Sequence, residues 1–165
     1  MRRRVLQVGV AVLLLLAAAP AARAHEGFGL SPFLGVAWDT GGGDNSPSLM
    51  AGANLTYGFT DWLGVGAGYS RIFTPGNRDL PDTNFVGLRG ILSLPLGPIE
   101  PYVAAGPGYY WEVAGPHDGS GVYFDAAAGI GVNVVVVRVS GEVSYRALDD
   151  GHGYFAPGVW ASIGF

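Results

Sequence analysis

The sequence predicts an all-β fold: an eight-stranded antiparallel up-and-down transmembrane β-barrel after a cleaved signal peptide. Three observations predict it. Apolar residues alternate with Gly and small or polar residues through eight segments of about ten to thirteen residues, near the length a tilted strand needs to cross a bilayer. The connections between these segments alternate between long and short. The composition sets 28 Gly and 12% aromatic residues beside only 13% charged residues and a positive mean hydropathy, an odd balance for a water-soluble domain. No stretch after the leader has the length of a transmembrane helix, so apolar character is spread over alternate positions instead.

The leader reads separately. Arg2, Arg3 and Arg4 form a basic n-region, Val5 to Ala19 is an apolar run broken by Gln7, and Ala22-Arg23-Ala24 supplies an A-x-A cleavage site. A signal peptide over 1–24 is therefore expected, with a barrel domain over 25–165. An uncleaved membrane anchor is the alternative. Strand-like sequence directly after the A-x-A site favours cleavage. Beyond the leader, Arg71, Arg78, Arg89, Arg138 and Arg146 face thirteen acidic residues, with no Lys and no Cys. That balance argues against nucleic acid as a partner and against binding to an anionic membrane surface. A disulfide framework is excluded.

The strands follow in order. Strand one, about Gly27 to Asp39, sets Phe28, Leu30, Leu34, Val36 and Trp38 against Gly29, Ser31, Gly35, Ala37 and Asp39. Strand two, about Ser48 to Phe59, points Leu49, Leu55 and Tyr57 out and Asn54 and Thr56 in. Strand three, Trp62 to Phe73, faces Leu63, Val65, Ala67, Tyr69 and Phe73 to lipid, which puts Arg71 on that face too. Arg71 must then lie at the membrane edge and snorkel to water. Strand four, about Asn84 to Leu94, places Arg89 inside.

Strand five, about Ile99 to Val113, faces Glu100, Tyr102, Tyr110 and Glu112 inward, and Pro107 within it predicts a bulge or a gap in the ladder. Strand six, Val122 to Val134, turns Asp125 inward. Its turn into strand seven is hidden in a valine run, where only Asn133 is a turn former. Strand seven, Arg138 to Leu148, alternates Val139, Val143 and Tyr145 with Arg138, Glu142 and Arg146. Strand eight runs from Gly153 to Phe165 with Phe155, Val159, Ala161 and Ile163 on one face.

Connections of about seven to nine residues rich in Gly, Asp, Asn and Pro follow the odd-numbered strands, and connections of about two or three follow strands two, four and six. Long external loops and short periplasmic turns fit that layout. Aromatics fall near both strand ends, as two interfacial belts would require. A water-soluble lipocalin-like barrel is the alternative, with its apolar faces lining a ligand cavity.

An eight-stranded barrel holds only its own side chains, so the interior is expected to be a packed polar core. Its charges are Arg89, Arg138 and Arg146 with Glu100, Glu112, Asp125 and Glu142. Buried charges persist when paired, so a salt-bridge network is expected. Its functional reading is a gate or narrow ion path; the plainer reading is that it fills the barrel. Glu100 and Glu112, twelve apart on one strand, would lie about 40 Å apart, too far for a glycosidase pair. His117 and His152 with nearby acids fall short of a metal site. No metal and no cofactor is expected. Asp44, Asp79, Asp82, Asp118, Asp149 and Asp150 are expected to be solvated or to meet lipopolysaccharide through divalent cations. Ser144 or Ser120 near His152 is the one approach to a hydrolytic site, without a G-x-S-x-G elbow.

The eight alternating segments, the run Val139-Ser140-Gly141-Glu142-Val143-Ser144-Tyr145-Arg146 and the ending Ile163-Gly164-Phe165 resemble the small outer-membrane barrels of the OmpA transmembrane domain, OmpX and OmpW group. The resemblance implies a bacterial outer-membrane location and a terminal Phe165 that is read by the barrel-assembly machinery. It implies outer-membrane lipid and lipopolysaccharide as partners, and a monomer. Unlike the OmpA type, no peptidoglycan-binding domain is expected after the barrel. The expected role is structural or surface-interacting and not enzymatic. The alternatives are a narrow channel for ions or small solutes and a lipid A-modifying enzyme.

Overall fold

The structure, a computed structural model, describes residues 27–41, 46–74, 82–113, 119–134 and 137–164. Eight strands make one closed barrel: β1 (Gly27–Asp39), β2 (Ser48–Gly58), β3 (Leu63–Phe73), β4 (Asp82–Ser93), β5 (Ile99–Val113), β6 (Ser120–Val134), β7 (Val137–Leu148) and β8 (Gly153–Gly164). Every neighbour pairs antiparallel, and β8 closes on β1 with Gly29 opposite Gly164. Alternation drives the closure, because each strand has one face for lipid and one for the lumen, and a closed sheet leaves no edge unpaired in hydrocarbon.

The facing expected from the sequence holds. Leu34, Leu88, Val103, Phe124, Ile130 and Val159 are exposed on the outside, while Ser31, Asn54, Glu100, Asp125, Glu142 and Arg146 are buried within. Arg71 does lie outward at the long-loop rim, where it pairs with Asp82 at 2.6 Å and stacks over Phe73. Two aromatic belts ring the barrel: Phe28, Tyr57 and Phe59 touch at the short-turn end, and Trp38 meets Phe155 at the other.

The prolines leave gaps without shifting register. The β4–β5 ladder skips the positions around Pro107 between Gly87↔Gly108 and Gly90↔Ala105 and resumes in the same alignment, so a gap forms and no bulge. The β1–β8 seam skips twice, at Pro32 and at Pro157.

The two rims differ less than expected. The connections 40–47, 74–81, 114–119 and 149–152 lie on one rim and 59–62, 94–98 and 135–136 on the other. Two of the short turns thus exceed two or three residues. Thr60 Oγ1 accepts from the Trp62 and Leu63 amides, and Gly97 takes a left-handed φ of 74° beside the Leu96↔Ile99 bridge, so both turns are built structures longer than a minimal hairpin. Val134 pairs with Val137, so the connection hidden in the valine run spans the two positions between them, which lie outside the described residues. The expected signal peptide, His25, Asp44, Arg78, Asp79, His117, Asp118 and Phe165 lie outside the described residues.

The interior corrects one expectation. Only part of it is polar. Phe33, Ala37, Met50, Ile72, Phe85, Tyr110, Tyr123, Leu148, Ala156 and Trp160 form a buried apolar cluster with Tyr154 against it, mostly in the long-loop half. These residues occupy inward positions of the alternation, as expected for Ala37 and Tyr110, while the others stand where an inward face was expected to be polar.

Candidate functional site in the barrel lumen

Two packed layers and a cavity follow one another along the lumen axis. The long-loop half is an aromatic plug. Phe85 meets Tyr123 and Tyr154 edge to face, with ring centroids 5.2 and 5.8 Å apart, and lies 6.3 Å from Tyr110. Inward glycines make room for such rings: a Cβ at Gly158 would overlap Phe33, and one at Gly108 would overlap Tyr123. These glycines serve as sockets that aromatic rings occupy in the long-loop half.

The middle layer is ionic. Arg89 reaches Asp125 at 2.9 Å and Glu142 at 3.1 Å, and Arg146 reaches Asp125 at 3.4 Å and Ser70 at 2.8 Å. Tyr102 donates its hydroxyl to Glu142 at 2.8 Å. These groups come from β3, β4, β5, β6 and β7, so the layer ties the barrel across its width. Nearer the short turns, Arg138 pairs with Glu100 at 3.1 Å; Glu100 is fully buried. The guanidinium groups also stack on rings: Arg146 over Phe85, Arg89 over Trp160 and Arg138 over Tyr102.

Six of the seven sequence-predicted interior charges thus meet in two clusters, three arginines with three carboxylates. Glu112 does not join them. It stands at the long-loop rim beside Gly119, because the strand carries it twelve residues beyond Glu100 to the other mouth of the barrel. The sequence reading faces Tyr102 and Tyr110 inward but does not name Phe33, Phe85, Tyr123, Tyr154 or Trp160, although the same two-residue period places them there.

The acidic loop residues that are described are engaged. Asp149 accepts from the Val122 amide and, like Asp150, from the Tyr110 hydroxyl. Asp82 is held by Arg71 and Thr74. Among the described residues no group of three His, Cys, Asp or Glu is placed to hold a metal. Ser144 is buried and donates to the Ala156 carbonyl, and neither it nor Ser120 hydrogen-bonds to His152.

Below the ionic layer lies a cavity of about 410 Å³. Its wall runs from Gly27, Thr60 and Gly164 at the short-turn rim up to Arg89, Glu142 and Trp160. Phe85, Tyr110, Tyr123 and Tyr154 are not part of that wall, so the cavity ends below the plug.

The geometry is shared with known barrels. Neisserial surface protein A superposes with a TM-score of 0.72 at 14% identity, over 84% of this chain and 97% of that one. The N-terminal β-barrel domain of Pseudomonas aeruginosa OprF gives 0.63 at 14%, over 83% and 97%. The outer membrane enzyme PagL gives 0.58 at 14%, over 83% and 99%. At these identities the likeness is one of fold. A search of curated proteins finds no match. A family model described as the outer membrane protein beta-barrel domain matches residues 8–154. With eight strands closed around a salt-bridged lumen and an apolar exterior girdled by aromatics, this chain is an outer-membrane barrel and belongs to that family.

Proposed function

We propose that the protein is a closed barrel with a structural or surface-interaction role in the bacterial envelope, and neither a pore nor an enzyme. One observation carries this reading: the ionic layer and the aromatic plug together occupy the lumen from its middle to its long-loop mouth. An ion crossing it would have to break matched pairs and then enter an apolar layer, each costing several kcal/mol. The engaged state of Ser144 supports the non-enzymatic reading. Outer-membrane lipid and lipopolysaccharide around the belts, and the barrel-assembly machinery acting through Phe165, complete the proposed partners of a monomer.

Planar-bilayer recording of the refolded barrel tests the proposal, beside lipid A mass analysis of cells that overproduce it. No unitary conductance and an unchanged lipid A are expected. Steady conductance that charge substitution at Arg89 or Glu142 abolishes would establish the channel instead, and an altered lipid A mass would establish the enzyme.

A further inference from the structure

The ion pairs, the plug and the belts are each explained by the closed barrel; the cavity beneath them is not. It occupies about 410 Å³, within the range of about 300–1,000 Å³ typical of small-molecule sites. Two of its wall residues, Asn54 and Ser140, are 8% and 3% exposed, and among the described residues neither side chain has a hydrogen-bond partner. Ser31 and Ser162 add hydroxyl groups beside them, 2.7 Å from each other.

Deep in the lumen the charges are already matched, while Asp61 of the wall lies at the short-turn rim outside these pairs. Arg89 holds Glu142 and Asp125, and Arg138 holds Glu100. A charged ligand would therefore have to displace an ion pair or place a further charge beside a matched one. An apolar ligand would leave the Asn54 amide and the Ser140 hydroxyl unpaired. Beyond the ion pairs, the groups deep in the wall without a partner among the described residues are the Asn54 amide, the Ser140 hydroxyl and the Trp160 indole N–H, neutral groups that together donate and accept. Hydroxyl groups share that dual character.

We propose that the short-turn half of the lumen binds an uncharged, polyhydroxylated solute of about monosaccharide size, entering from the periplasmic side. The plug makes the cavity a dead end, so it retains such a solute and does not conduct it. The site goes beyond the envelope role.

The test is NMR titration of the isotopically labelled barrel in lipid nanodiscs, following the indole N–H of Trp160 in the cavity wall. D-glucose and N-acetyl-D-glucosamine serve as probes, with inorganic phosphate and free arginine as charged controls. A saturable shift with at least one sugar is expected. Asn54→Leu and Ser140→Ala should each weaken it roughly two- to tenfold, as loss of one hydrogen bond would. Unchanged heat-modifiable mobility would show that each variant still closes its barrel. No saturable shift with either sugar means a cavity filled by water alone and overturns the site. Saturation by phosphate or arginine in place of the sugars overturns its chemistry. Conductance of the same preparation separates the two readings: a conducting barrel with a saturable shift refutes closure and keeps the site, while a silent barrel without one does the reverse.

Discussion

The guanidinium of Arg146 lies 4.6 Å over the ring of Phe85, so the uppermost ion of the charged layer is also the floor of the aromatic plug. Arg146 is 4% exposed and bonds Asp125 and Ser70 besides. A charge that deep is tolerated because its polar edge is paired and its face is covered by a π-cloud, so the two layers stabilise each other.

Phe85→Ala should therefore cost more than its own contacts. Truncation of a buried Phe destabilises by about 3–5 kcal/mol, and here it also uncovers Arg146. Urea unfolding of the barrel from lipid vesicles would measure it, with Phe85→Leu expected to lose clearly less.

Glu142 accepts from both Arg89 and Tyr102. Glu142→Ala should destabilise by roughly 3 kcal/mol, since Arg89 keeps only Asp125 in a site where an unmatched charge is costly. Replacing both members of the separate pair, Arg138→Met with Glu100→Leu, should in contrast come close to wild-type stability, while Glu100→Ala alone should not. The same unfolding assay ranks all three.

The rim pair behaves differently. Arg71 and Asp82 meet at a shorter distance than any luminal pair, yet their side chains are 35% and 25% exposed. Screening leaves such pairs worth about 0–1 kcal/mol. Arg71→Ala should thus shift the unfolding midpoint little, and a loss comparable to that of Glu142→Ala would contradict the assignment of Arg71 to the membrane edge.

Gly158→Val should act through its neighbour, because a side chain at 158 occupies the volume of the Phe33 ring. Overpacking of this kind costs about 1–3 kcal/mol. Paired with Phe33→Ala it should recover part of that loss, which a double-mutant cycle would show as favourable coupling.

Much of this architecture is legible in the sequence because a membrane barrel is written in one dimension with period two. Val139 to Arg146 gives its facing residue by residue, and Pro107 announces an interruption where the ladder is interrupted. The parity that sends Leu34 outward also sends Phe33 inward, so the plug too was present in the pattern. It was obscured by the expectation that an inward face is polar. Which charges meet was harder to read. Arg89 and Glu142 lie on strands that are not neighbours, and their pairing depends on the barrel's diameter and stagger, which no single strand encodes. Glu112 shows the converse: inward parity alone does not decide at which mouth a side chain sits.

The two interruptions at Pro32 and Pro157 fall on the one seam that joins the ends of the chain. Pairs such as Gly29 and Gly164 are the most distant in sequence, so this ladder has the largest closure entropy to overcome and is the natural last step of folding. Until that step β1 and β8 are the free edges of an open sheet, and an open edge recruits strands from other chains. A proline on each withholds an amide from any foreign strand while leaving the native register intact. The seam with the fewest paired residues in the finished barrel is thus the one best guarded against aggregation while the barrel is being made.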